Sequence, residues 1–214
     1  MALKRALKHR FLPKPGPQRL RAGIGRGIRM NIDFEHETRL FLGLYEIELN
    51  RHLRTLLRPG VRAFDIGAQA GYDALVIAKH TGARVASFEC DRKCFGRMRS
   101  SFALNPELGE LVEPVEAMVG VDLGLDEFAY GAGFVPDFLK VDVDGGEVEV
   151  LRSAERLLTE RRPPMIVEIH SAELERGCGE LMVDHGYRVT IVNQRKIAPD
   201  YRPTPELNRW LVAA

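Results

Sequence analysis

The chain has 214 residues, of which 45% are hydrophobic, and a formal net charge of +1. That length suits one domain or a tight pair of them, and the composition excludes a disordered chain. No run approaches the ~18 uninterrupted apolar residues of a membrane-spanning helix, and the even overall charge gives no electrostatic reason for a nucleic-acid partner.

The charge is unevenly spread. Residues 1–32 hold nine Lys/Arg and no acid, which leaves 22 basic against 30 acidic residues in the remainder, a net of −8. The sequence therefore divides into a basic N-terminal arm, residues 1–32, expected to be flexible, and a single domain over 33–214. Within the arm, Leu3, Ala6 (or Leu7) and Phe11 fall near helical spacing among basic residues. That pattern could form a short amphipathic helix in peripheral contact with an anionic membrane, but one short helix is marginal alone, so the favoured reading is a solvated extension that improves solubility or folds over the body. An Arg-rich, acid-free mitochondrial presequence shares the composition. Pro13, Pro15 and Pro17 end any helix there. Cys90, Cys94 and Cys178 are odd in number, with no second Cys/His pair at ligand spacing. They predict reduced, packed thiols in a cytoplasmic protein.

From residue 38 the pattern is helical, with Leu42, Tyr45 (or Glu46), Leu49, Leu53, Leu56 and Leu57 on one face and Arg58-Pro59-Gly60 as the stop. An alternation follows. Strands are predicted at 61–66, 84–88, 111–119, 137–143, 165–169, 187–192 and 207–212, with helices at 71–79, 92–104, 147–158 and 173–185 between them. Such alternation predicts an α/β fold with a mostly parallel sheet of seven strands and helices on both faces. The last two strands have no helical pattern between them, so the last enters antiparallel.

Phe64-Asp65-Ile66-Gly67-Ala68-Gln69-Ala70-Gly71 lies where the first of these strands meets its helix, the place where open α/β sheets bind ligands. Its glycines are spaced G-x-x-x-G, not the G-x-G-x-x-G of a dinucleotide site, and Asp65 discourages a phosphate. Glu89 ends the next strand, where an acid accepts hydrogen bonds from a ribose diol. The two acids suit a positively charged nucleoside, and S-adenosylmethionine fits that description. Farther on, Asp142, Asp144 and Glu147 cluster in Lys140-Val141-Asp142-Val143-Asp144-Gly145-Gly146-Glu147, and the following strand ends Glu168-Ile169-His170. Asp142 is a candidate for orienting cofactor or acceptor, and His170 for the base that removes a hydroxyl proton. A histidine bonded to backbone and a first-turn glutamate favoured by the helix dipole account for His170 and Glu147 without catalysis. A divalent ion on Asp142, Asp144 and His170 is an alternative that the reading does not expect.

These two segments resemble the FkbM-type family of S-adenosylmethionine-dependent methyltransferases, as do Gly43-Leu44-Tyr45-Glu46, Ser87-Phe88-Glu89, Leu125-Asp126-Glu127-Phe128 and Glu168-Ile169-His170. The similarity spans roughly residues 38–212. It implies a Rossmann-like class I methyltransferase fold, with cofactor contacts from Asp65, Gly67, Ala68, Gln69, Gly71, Glu89 and Asp142, and an adenine contact near Glu116-Ala117. It also implies transfer to a hydroxyl of a sugar, lipid-linked glycan or secondary metabolite. The sequence departs from the family at Gln69 (commonly Asn), Cys90 (commonly Pro) and Asp144 (commonly Glu). A binding module without turnover and, less favoured, a nicotinamide-dependent oxidoreductase are the competing readings.

Overall fold

The computed structural model describes residues 13–195 and 209–214. The amphipathic segment read at residues 2–12 lies outside the described residues. Seven strands form the main sheet: β3 (Ala63–Ile66), β4 (Val85–Glu89), β5 (Val112–Glu116), β6 (Phe138–Val141), β7 (Met165–Ile169), β8 (Val189–Asn193) and β9 (Arg209–Ala213). Their order is β5-β4-β3-β6-β7-β9-β8. The first five run parallel, and β9 enters antiparallel between β7 and β8. The central strands β3, β4, β6 and β7 are buried on both faces, which is why they read as largely apolar runs, whereas the outer strands β5 and β8 carry exposed residues.

The basic segment does not behave as an arm beyond residue 13. Gly16–Arg19 (β1) and Arg29–Ile32 (β2) pair antiparallel, and Leu20, Ile24, Ile28, Met30 and Ile32 are buried in the main core. Its basic residues point outward between these apolar anchors, so the expected boundary at residue 32 falls inside a packed unit. Lys79 Nζ reinforces the packing by donating to the carbonyls of Ile24 and Arg26.

Two predicted helices are broken. The helix expected from residue 38 becomes Thr38–Phe41, a 3-10 turn Ile47–Leu49 and Asn50–Leu56, interrupted where Gly43 and Glu46 take positive φ. The helix expected at 147–158 becomes Glu147–Arg152 and Glu155–Glu160. The break is capped from elsewhere: Ser153 Oγ accepts from the Leu125 amide, and the Asp126 carboxylate accepts from the amides of Arg156 and Leu157. Those partners belong to a helix, Leu125–Gly131, that the periodicity did not reveal. Among the described residues, no helix is long and apolar enough to cross a membrane.

Candidate active site

The site is built by strand pleating. Ser87, Asp65 and Lys140 are register neighbours on β4, β3 and β6. Ile166 pairs with Lys140, so Glu168, two residues on, shares that face. A row of polar side chains thus crosses the sheet near the carboxyl ends of its parallel strands. Asp142, two residues beyond Lys140, continues the row onto the lip.

The loop after β3 is fixed by close backbone approach. Gly67 has φ +85°, and a β-carbon there would lie 1.7 Å from the Asp142 carbonyl oxygen. The amides of Gly67 and Ala68 both donate to the Phe88 carbonyl at 2.9 Å. Gln69 also takes positive φ and donates its amide to Glu89 Oε2 at 2.8 Å, while the Asp91 amide donates to Glu89 Oε1 at 2.7 Å. The two strand-tip acids are therefore brought together around one loop, Asp65 beneath it and Glu89 beside it. Gly71 starts the helix Tyr72–Thr81, packed against Phe102 and Met98.

Lys140 is the centre of the cluster. Its side chain is 1% exposed, and its ammonium lies 3.8 Å from Asp142 Oδ2 and 3.9 Å from Glu168 Oε2 without a hydrogen bond to either. Burial works against its charge, yet Glu46, Asp142, Asp73 and Glu168 together hold its pKa well above the ordinary lysine value. One lysine does not balance that many acids. Burial pushes Glu46, Asp65 and Asp73 up to about 7, with Lys140 opposing it each time. Burial and then the neighbouring Asp142 charge raise Glu168 to about 8, although Trp210 Nε1 donates to its Oε2 at 3.1 Å. Asp142 goes the other way: Lys140 and His170 outweigh burial and keep it ionised below the usual carboxylate range.

His170 Nε2 lies 3.4 Å from Asp142 Oδ1 and 3.4 Å from Asp144 Oδ1. Its interaction with Asp142 raises its pKa to about 9 against the effect of burial. The direction of that shift favours the imidazolium over the neutral ring. Asp144 is 80% exposed and reaches His170 from the lip. Glu147 is fully buried, accepting from the Gly145 amide through Oε1 with Oε2 unpartnered.

Of the residues singled out from sequence, Asp65, Gly67, Ala68, Gln69, Gly71, Glu89, Asp142 and His170 gather at one end of the sheet. Glu116 does not join the buried cluster: it is exposed and pairs with Arg92 at 3.2 Å. Ala117 follows it on the half-buried edge. Lys140, Glu168, Asp73 and Glu46 were missed as site residues. A lysine inside the apolar run Phe138–Val141 was the available signal, since such a charge is almost never buried unless paired. The potential metal ligands that converge are Asp142, Glu168 and His170, with donor atoms within 4.8 Å of one another, not the trio with Asp144. Two of these three already face the Lys140 ammonium, which competes with a dication for the same carboxylates.

Residues 122–197 match the model of the Methyltransferase FkbM domain, so the FkbM-type resemblance is borne out over that segment. No curated protein matches the sequence at a significant level. Among solved structures, the chain is similar to precorrin-6Y C5,15-methyltransferase from Geobacter metallireducens GS-15, with a TM-score of 0.58 at 20% identity, covering 78% of this chain and 85% of that one. It is similar also to a methyltransferase FkbM from Methylobacillus flagellatus KT, with a TM-score of 0.60 at 16% identity, covering 72% of this chain and 44% of that one. The chain thus spans less than half of that protein. A third neighbour is Aeropyrum pernix fibrillarin in complex with natively bound S-adenosyl-L-methionine, with a TM-score of 0.51 at 16% identity, covering 74% and 68%. The fold is that of class I methyltransferases.

Proposed function

We propose that this chain, with its class I methyltransferase fold and its match to the FkbM domain, is an S-adenosylmethionine-dependent enzyme that methylates a hydroxyl of a sugar, lipid-linked glycan or secondary metabolite. The observation that carries the reading is the pairing of Asp65 and Glu89 at adjoining strand tips around the Gly67–Gly71 loop. The donor set fits the group. Glu89 has a lone pair left on each oxygen for a ribose diol, and the buried acids outnumber the buried cations, so a cationic nucleoside relieves the imbalance. A diphosphate aggravates it, which speaks against a nicotinamide cofactor. When bound, S-adenosylmethionine supplies an electrophilic methyl group on a positively charged sulfur.

The residues supply positioning and proton handling. Gly67 and Gly71 let the loop close against Asp142, Phe102 and Met98, and Asp65 and Glu89 orient the ligand beside it. Asp142, held ionised by Lys140, lies 3.4 Å from His170 Nε2, which has no hydrogen-bond partner of its own. A positive charge placed in the cluster lowers the His170 pKa toward neutrality, after which the ring can accept a proton from an acceptor hydroxyl. A polar acceptor is supported by a cavity of about 600 Å³ between the helices Glu147–Arg152 and Ala172–Asp184, with Glu149, Arg152, Glu173 and Arg176 in its wall. Gly145 and Ser171 of that wall adjoin Asp144 and His170.

Isothermal titration tests the proposal. S-adenosylmethionine is expected to bind the wild type and to be lost in Asp65→Asn and in Glu89→Gln, while NADH binds none of them. Unchanged affinity in both folded variants refutes the site, and preferential NADH binding refutes the cofactor. A methyl gain of about 14 Da on candidate glycans, read by mass spectrometry, separates an enzyme from a binding module.

A further inference from the structure

Between the helix Thr38–Phe41 and the turn Ile47–Leu49 the chain bends sharply against the N-terminal ribbon. Gly43 has φ +71°, and a β-carbon there would come within 2.2 Å of the Ala22 carbonyl carbon. Three residues on, Glu46 takes a left-handed backbone, φ +44°, and is only 8% exposed. Its Oε2 is sealed from solvent and accepts no hydrogen bond. The charges of Lys140, Asp73 and Asp142 act on this carboxylate, so it adjoins the same buried cluster. Lys140 does not close on it: the ammonium lies within 4 Å of Asp142 and Glu168 instead. A buried carboxylate oxygen without a donor is costly, and native folds keep such atoms chiefly where something else completes them.

We propose that Glu46 is a cofactor-binding residue whose free Oε2 accepts a hydrogen bond from the α-ammonium group at the amino-acid end of S-adenosylmethionine. The inference rests on the proposed cofactor and extends its site beyond the strand-tip loop to the bend that precedes β3. Chemistry selects the ammonium among the ligand's groups. Oε2 needs a donor, which excludes the ligand carboxylate. The acids Glu46, Asp65, Asp73, Asp142 and Glu168 outnumber Lys140 and His170, which favours a charged donor over a hydroxyl. The bend holds the carboxylate in place before any ligand arrives, so little ordering is required on binding.

The test is isothermal titration of wild type and Glu46→Gln with three ligands: S-adenosylmethionine, S-adenosylhomocysteine and 5′-methylthioadenosine, which lacks the amino-acid end. Glu46→Gln is expected to weaken the first two roughly 10- to 100-fold, as loss of a charge-assisted hydrogen bond does, and to leave 5′-methylthioadenosine unchanged. Glu46→Asp, which withdraws the carboxylate by one methylene, is expected to fall between. Ligand-free Glu46→Gln should melt at or above the wild-type temperature, because a buried charge has been removed. Unchanged S-adenosylmethionine affinity, an equal loss for 5′-methylthioadenosine, or a less stable ligand-free variant overturns the role of Glu46 and leaves the cofactor standing. A wild type that binds none of the three overturns the cofactor itself.

Discussion

Replacing Lys140 by methionine removes the cation at the centre of the site while keeping an unbranched side chain one heavy atom shorter. The ammonium faces two carboxylates at 3.8 and 3.9 Å from a fully buried position, and Asp65 is its register neighbour on β3. Breaking a buried ion pair from one side costs about 3–5 kcal/mol, because the remaining charge is left uncompensated. For a chain of this size that lowers the melting temperature by about 6–20 °C. The deficit also carries a pH signature. Burial already raises Glu46, Asp65 and Asp73 to about 7 and Glu168 to about 8, above the roughly 4 of the unfolded chain. Loss of Lys140 raises them further. Between those limits the folded protein binds more protons than the unfolded chain, so stability grows as pH falls. Thermal melts at pH values of about 8 and about 5.5 should therefore show a large deficit at the first and a smaller one at the second. A variant as stable as wild type at the higher pH, or a deficit that widens on acidification, refutes Lys140 as the counter-ion of the cluster.

Two further outcomes follow from the same geometry. Gly67→Ala places a methyl group 1.7 Å from the Asp142 carbonyl oxygen and is expected to abolish soluble folded protein. Gly27→Ala, with φ +95° but nothing within 4 Å, should cost only about 1–2 kcal/mol; equal melting temperatures for the two would refute the close contact. His170, raised to about 9 chiefly by Asp142, contributes its stabilising charge in full below its unfolded value of about 6.5 and loses it as pH rises through about 9. Its ring in the ligand-free protein should titrate by NMR near that upper value, and if it is the base, turnover should rise with pH below it. His170→Gln should flatten the rise, and a pH profile that survives the substitution removes the base assignment.

The centre of the sheet was readable because β3, β4, β6 and β7 are buried on both faces. Runs such as Met165–Ile169 leave no alternative to a buried strand, and the missing helix before β9 marked the antiparallel entry. Boundaries set by distant partners were not readable. Ser153 ends one helix and caps another 28 residues earlier in the chain, which no local periodicity reports. The ribbon β1–β2 was hidden by its charges, since Arg19, Arg21, Arg26 and Arg29 interrupt the apolar series Leu20, Ile24, Ile28 and Met30. The strand-tip acids were visible as a motif, whereas Lys140 and Glu168 became site residues only once the pleat and register placed them in one row. Glu46 needed more still: its left-handed backbone and unpartnered oxygen lie at the bend where Gly43 packs against Ala22, a contact between segments that the charge pattern had divided.

The imbalance of charge at the strand tips is itself a functional argument. A structural ion-pair network tends toward neutrality, because an uncompensated buried charge destabilises the fold. Here Glu46, Asp65, Asp73, Asp142 and Glu168 share Lys140 and His170, and burial with too few cations lifts Glu46, Asp65 and Asp73 to about 7 and Glu168 to about 8 before any ligand is present. A ligand that brings positive charge recovers part of that penalty as binding energy. If the proposed cofactor binds here, the same ligand after losing its positively charged sulfur would recover less, and titration should show the neutral thioether held more weakly than the sulfonium; equal affinities would refute the charge argument. With two buried lysines the preference would fade, and with none the carboxylates would take up protons and become neutral.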